Sequence, residues 1–257
     1  MRLAYDVRGD GEPLLLVHGW CGARSVWRLQ SPVFAKQYRV IAVDLRGHGD
    51  SEKPHGDHEY SIARCADDLA RLLDELRLDR AIVVGQSMGT LVAQQLCLDH
   101  PARVTALVLA GALAGSPPAG GVVGPWVERI AAEIEAKGFE AYLQEVVPFW
   151  FSPGFDREQI KTFTADSFKA APYAAVAFCR AVAGTDLRQR LPEIGAPTLL
   201  IVGERDGRTP VAEAEDMNRR IPDAWLKVIK GAGHMANVEK PEEWNRAVLG
   251  FLDSLSA

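Results

Sequence analysis

The feature that most constrains this chain is a series of short apolar runs, each bounded by glycine, proline or charge, with helical stretches between them. Residues 13–17, 39–43, 81–84, 105–110, 197–202 and 225–229 read as strands, and the first five are almost continuously apolar. A strand with no polar face must be covered on both sides, the situation of parallel strands in a sheet flanked by helices. Between the runs, Ile62, Ala66, Leu69, Leu72, Leu73 and Leu76 recur at helical spacing behind a capping Ser61. Residues 87–98 predict a second helix, stopped by Pro101. Residues 241–255 predict a last one, with Pro241 opening it and Glu242 and Glu243 in its first turn. Strands alternating with helices predict βαβ units and an α/β fold. Residues 2–7 alternate instead, as suits an antiparallel strand at or near an edge.

The alternation breaks once. From Gly111 to about Asp186 no strand is predicted; a Gly/Pro-rich stretch from Ala112 to Pro125 leads into helical segments near 126–138, 139–147, 156–170 and 173–183. The expected organisation is therefore a core of residues 1–112 and 187–257 interrupted by a helical insertion over 113–186. An insertion of that length is usually functional. It also holds 11 of the 20 aromatic residues, all between Trp126 and Phe178, so the place of these rings bears on what the protein binds. A small helical layer needs a core of its own, which accounts for most of them. Phe149-Trp150-Phe151 is different, because three consecutive rings cannot all face one core. At least one is expected to face a pocket or the sheet.

Composition removes several alternatives. With 47% hydrophobic and 25% charged residues the chain is neither disordered nor fibrous. A net charge of −5 leaves no basic groove for nucleic acid. No apolar run is long enough to span a membrane, and no signal peptide is read at the start. Cys21, Cys65, Cys97 and Cys179 have no paired spacing and are expected to be reduced, buried thiols, which fits a cytoplasmic protein.

The chemistry is concentrated at Gly85-Gln86-Ser87-Met88-Gly89, which follows an apolar strand and opens a helix. A strand that turns sharply into a helix strains the residue at the bend and leaves no room for side chains two positions away. Glycines at 85 and 89 remove them. The turn holds the Ser87 hydroxyl above the sheet edge and sets the Met88 N–H at a helix N-terminus, where negative charge is favoured. The competing reading of Ser87 is a simple helix cap, which needs no flanking glycines.

Other segments stand around this one: His18-Gly19-Trp20 after the first apolar run, Asp44-Leu45-Arg46-Gly47-His48-Gly49-Asp50-Ser51, Gly203-Glu204-Arg205-Asp206, and Gly231-Ala232-Gly233-His234. Together, and in this order, they resemble the α/β-hydrolase fold family over essentially the whole chain. The resemblance implies a mostly parallel sheet of about seven strands, one fewer at the N-terminus than many members have, flanked by helices and carrying an inserted helical cap. It implies a Ser87–His234–Asp206 triad in the order this family uses, with backbone N–H groups of Trp20 and Met88 as the oxyanion hole. Glu204, two residues from Asp206, stays open as the acid, and a surface loop histidine is the competing reading of His234. Thr90 departs from the pattern, since many relatives have a second glycine after the elbow.

A serine at the elbow argues against dehalogenase and epoxide-hydrolase chemistry, which needs a carboxylate there. The implied function is hydrolysis of a small to medium apolar carboxylic ester or lactone through an acyl-serine, without metal or organic cofactor. Trp20, Phe149, Trp150 and Phe151 are the expected substrate contacts. A carbon–carbon hydrolase of vinylogous diketones and a ligand receptor with a vestigial triad are the alternatives. The partner is a small molecule, and the chain is expected to be a monomer or small homo-oligomer. His18, His48 and Arg46 are expected to be structural, and His55 and His58, beside Asp57 and Glu59, lack a third ligand for a metal.

Overall fold

The computed structural model describes residues 1–115 and 125–255. Most of the Gly/Pro-rich stretch before Pro125 lies outside the described residues. Seven strands form one sheet: β1 (Tyr5–Arg8), β2 (Glu12–Val17), β3 (Tyr38–Val43), β4 (Ala81–Gln86), β5 (Val104–Ala110), β6 (Thr198–Gly203) and β7 (Ala224–Ile229), in the order β1-β3-β2-β4-β5-β6-β7. β1 is the antiparallel edge strand, with Tyr5 opposite Val43, and every other pair is parallel.

The helices are α1 (Ser31–Phe34), α2 (Ile62–Glu75), α3 (Met88–Asp99), α4 (Pro125–Lys137), α5 (Phe139–Val146), α6 (Arg157–Thr164), α7 (Pro172–Ala183), α8 (Val211–Arg220), α9 (Ala236–Glu239) and α10 (Pro241–Leu255). The Ser61 hydroxyl accepts from the Arg64 N–H at 3.1 Å, the cap expected for α2. The sheet sorts its apolar residues by parity. Leu15, Val17, Val83 and Leu107 pack with Leu69, Leu73 and Leu91 on one face, whereas Leu14, Leu16, Val84 and Val108 pack with Trp27, Phe34 and Trp244 on the other. This two-sided burial is why the central strands read as unbroken apolar runs.

The chain passes from β2 outward to β3, then returns to the other side of β2 as β4. Strand order reverses there, and in a parallel sheet such a reversal opens a crevice at the carboxyl ends of the two strands. Val17 lies opposite Gly85, so the loops after β2 and β4 emerge side by side at that crevice. The helices between β5 and β6 are tied to loops of the same edge. Ala171 N–H donates to Gly47 O at 3.0 Å, and the Tyr173 hydroxyl donates to Lys53 O at 2.7 Å.

Trp244 is fully buried, its ring 6.0 Å from Trp27 and 6.1 Å from Phe34. Truncation there leaves a cavity that α10 cannot close. Trp244→Ala is expected to lower the unfolding free energy by about 3–5 kcal/mol in urea denaturation, with Trp244→Phe costing much less.

Candidate active site

Ser87 stands between β4 and α3 with φ 53° and ψ −123°, a backbone conformation that non-glycine residues rarely hold. Its surroundings permit nothing larger than glycine. A Cβ on Gly85 would lie 2.4 Å from Gly89 O, one on Gly89 2.5 Å from Val17 O, and one on Gly19 2.9 Å from Ser87 Cβ. The turn is locked by hydrogen bonds. Ser87 N–H donates to Ala110 O at 2.9 Å, and Ser87 O accepts from the Thr90 N–H at 2.8 Å and the Thr90 hydroxyl at 2.6 Å. Leu113 N–H reaches the same hydroxyl at 3.3 Å. Thr90, the departure noted in the sequence, therefore fastens the elbow to the loop after β5.

His234 and Asp206 come from the loops after β7 and β6, and both side chains are buried. Nδ1 of His234 lies 2.8 Å from Asp206 Oδ2, so Nδ1 carries the proton and donates it to the carboxylate. That tautomer leaves Nε2 as an acceptor. Asp206 also accepts the Arg208 N–H at 2.8 Å, the Thr209 N–H at 2.9 Å and the Thr209 hydroxyl at 2.6 Å. Burial pushes this carboxyl up, but the hydrogen bond and charge of His234, with those of Thr209, outweigh it and hold Asp206 below the usual carboxylate range. Glu204 faces elsewhere, accepting the Gly231 N–H at 2.9 Å. Of the two acids left open by the sequence, Asp206 is the one paired with His234. Thr209 was not singled out in the sequence; its position three residues after an acid in a turn was the available signal.

Two further histidines shape the loop after β2. His18 Nε2 accepts the Leu45 N–H at 3.0 Å while its Nδ1–H donates to Gly19 O at 2.7 Å. His48 Nε2 accepts the Cys21 N–H at 3.1 Å while its Nδ1–H donates to Arg46 O at 3.0 Å. Each imidazole thus joins two stretches of backbone in its neutral form. Burial lowers His18 to about 4, more than its bond to Gly19 raises it, and burial together with His18 lowers His48 to about 3. Between them they fix Gly19, Trp20 and Cys21, the last at φ 51°. Among the described residues the backbone N–H groups of Trp20 and Met88 donate to no other backbone group. Arg46 is structural as expected, reaching Asp68 at 2.6 Å and Glu59 O at 2.5 Å. His55 stacks on Tyr173 at 4.5 Å.

Two cavities meet at Ser87 and His234. The smaller, about 50 Å³, is closed by Gln86, Trp150 and Phe163; the larger, about 500 Å³, is walled by Trp126, Ile130, Tyr142 and Val182. Trp20 and Arg208 line both. The indole N–H of Trp20 donates to Ala175 O at 2.9 Å, and its ring meets those of Trp150 and Tyr142 edge-on. A third cavity, about 550 Å³, opens beside Glu12, Tyr38 and Arg80 near the strand starts, away from these groups.

The three consecutive rings separate. Trp150 lines the smaller cavity, Phe151 is buried and stacked on Phe155 at 5.2 Å, and Phe149 is 76% exposed. Of the expected aromatic contacts at 149–151, the structure brings only Trp150 to Ser87. The backbone explains the difference: Met235 N–H donates to Trp150 O at 3.0 Å and Ser152 N–H to Glu239 at 3.1 Å, anchoring this turn on the His234 loop. Phe149, in the short turn before that anchor, is left on the outside. All four cysteines are buried free thiols. No group of three or more metal-ligating side chains occurs among the described residues, and none of their helices is long and apolar enough to cross a membrane.

A family description for the alpha/beta hydrolase fold matches residues 12–241, and the chain belongs to that family. It is 33% identical over 251 residues to 3-oxoadipate enol-lactonase 2 of Acinetobacter baylyi, covering 96% of this chain and 91% of that one. Among solved structures it is similar to a hydrolase from Pseudomonas aeruginosa, at 34% identity and TM-score 0.88, covering 97% and 94% of the two chains. A thermophilic esterase from Thermogutta terrifontis superposes with TM-score 0.89 at 30% identity, covering 99% and 94%.

The two neutral histidines give the fold a defined acid sensitivity. Unfolded, each takes up a proton near 6.5; folded, His18 waits until about 4 and His48 until about 3. Between those values the unfolded chain holds more protons, so stability falls as pH drops from about 6.5 toward 4, by up to about 1.4 kcal/mol per pH unit per histidine. Denaturation free energies measured across this window should show that slope, and His48→Gln should flatten it.

Proposed function

We propose that the chain is a serine hydrolase of carboxylic esters or lactones, with Ser87 as nucleophile, His234 as general base and acid, and Asp206 as the residue that orients the imidazole and stabilises its charged form. The observation that carries this reading is the Asp206–His234 hydrogen bond, which leaves Nε2 of His234 as an acceptor in the cavities that hold the strained Ser87. In this mechanism Nε2 takes the Ser87 proton as the hydroxyl oxygen attacks the acyl carbonyl. The tetrahedral oxyanion is held by the Trp20 and Met88 N–H groups, an arrangement worth about 3–4 kcal/mol for each donor removed. The imidazolium then protonates the leaving alkoxide, and water repeats the sequence to free the acid. Asp206, held ionised, stabilises the imidazolium throughout.

Residues 113–186 are proposed to act as a cap over a core of 1–112 and 187–257. Supporting this, α4, α5 and α7 contribute Trp126, Ile130, Tyr142 and Val182 to the larger cavity, an apolar wall suited to a small or medium acyl or alcohol group. The buried free thiols support a cytoplasmic setting, with a monomer or small homo-oligomer as the working unit and neither nucleic acid nor membrane as partner. The relatives named above, an enol-lactonase and an esterase, favour ester or lactone hydrolysis over carbon–carbon cleavage or a receptor role.

Turnover of p-nitrophenyl esters tests this directly, with short to medium acyl chains expected to be best. Ser87→Ala is expected to lose on the order of 10⁴-fold or more in kcat. Asp206→Asn should lose about as much, through the wrong tautomer, while Glu204→Gln keeps most activity. Undiminished turnover in Ser87→Ala would remove the mechanism.

A further inference from the structure

Among the described residues, the acidic groups around the two cavities are engaged or offset, and one cation there has no carboxylate partner. Asp206 is held by His234 and Thr209. Asp166, on the smaller cavity, accepts from the Ser25 hydroxyl and pairs with Lys169 at 2.9 Å. Glu213, on the larger cavity, stands in the first turn of α8, where the positive end of the helix dipole favours its charge. Arg208 is the only lysine or arginine among the described residues that line either cavity, and it lines both. Its backbone is fixed by the N–H donated to Asp206 Oδ1, so the root of the side chain is held by the turn that presents Asp206 to His234. No carboxylate among the described residues pairs with its guanidinium within 4 Å.

We propose that Arg208 is a specificity-determining residue that binds a carboxylate carried by the substrate, within a few atoms of the ester or lactone carbonyl. The proposal rests on the hydrolase reading above and narrows its substrate class to an apolar body with one anionic end. A carboxylate matches the guanidinium in plane and can accept two parallel N–H bonds from it. A single guanidinium matches one negative charge; a polyphosphate would need a cluster of cations that the described residues of these cavities do not supply. The apolar walls of Trp126, Ile130 and Val182 take the rest of the molecule. Because Arg208, an exposed residue, lines both cavities, the carboxylate can belong to the acyl or to the alcohol portion, and the test separates the two.

The test compares kcat/KM for two matched pairs: monomethyl glutarate against methyl hexanoate, with the charge on the acyl side, and 3-acetoxypropanoate against butyl acetate, with the charge on the alcohol side. The anionic member of one pair is expected to be preferred about tenfold or more, and that pair shows which side carries the charge. The preference should shrink in high salt, collapse in Arg208→Gln and survive in part in Arg208→Lys. Preference for the neutral member of both pairs, or an anion preference unchanged by Arg208→Gln, overturns the proposal. Salt dependence of the unmodified protein keeps it falsifiable if the variant does not fold. If the neutral esters are hydrolysed and a fluorophosphonate labels Ser87 while no charge preference exists, only the role of Arg208 fails. If no ester is turned over and Ser87 is not labelled, the hydrolase reading fails, and this inference with it.

Discussion

The rest of the structure depends on the bend at Ser87. Holding a serine at φ 53°, ψ −123° costs about 1–3 kcal/mol, and a backbone keeps such a residue only when its surroundings over-determine it. Here they do so through contact. Gly85 meets the backbone of Gly89, Gly89 meets Val17 O and His18 O, and Gly19 meets Ser87 itself. Those approaches are possible only because β2 and β4 are adjacent with Val17 opposite Gly85. The strand pair at the centre of the sheet, the reversal of strand order and the placement of Ser87 in the cavity walls are thus one constraint. The unbroken apolar faces of the two strands supply the burial that offsets the strain.

Around the bend, buried polar groups hold loops in place. A buried imidazole without partners would be costly, so His18 and His48 spend both ring nitrogens on backbone N–H and C=O groups and remain neutral. Asp206 is treated in the opposite way: four donors converge on it and keep it charged. Neutral joints under the Trp20 loop and a fixed negative charge behind His234 suit the proposed mechanism, in which an oxyanion forms beside Trp20 and an imidazolium at His234. Glu239 completes the frame by accepting the Gly233 N–H at 2.9 Å beside its bond to Ser152.

Much of this was legible in the sequence. Apolar runs located six of the seven strands, the alternating segment after Arg2 gave the antiparallel edge, and the glycines at 85 and 89 announced the elbow. Those signals are local: each depends on residues a few positions apart. What the sequence left open depended on contacts between distant segments. Glu204 and Asp206 are equivalent by type and spacing, and only the turn that aims one at His234 and the other at Gly231 separates them. The rings at 149–151 could be seen to diverge, but which one reached the cavity was decided by bonds to Met235 and Glu239, more than 80 residues away. Arg208 had no pattern around it, since an exposed guanidinium at a cavity rim and any other surface guanidinium look alike in a sequence.

Trp20 shows how the helices between β5 and β6 enter the chemistry without supplying a member of the proposed triad. Its backbone is set by the loop that His18 and His48 clamp, it lines both cavities, and its indole N–H is tied to Ala175 O in α7. A shift of α7 would therefore pull on the Trp20 ring and, through it, on the backbone whose N–H faces the reacting carbonyl in the proposed mechanism. Trp150 and Tyr142 press on the same ring from other segments of that helical layer. The position of the layer and the geometry of the proposed oxyanion site are coupled through one side chain. Changes in the aromatic layer are for that reason expected to alter substrate choice and rate together.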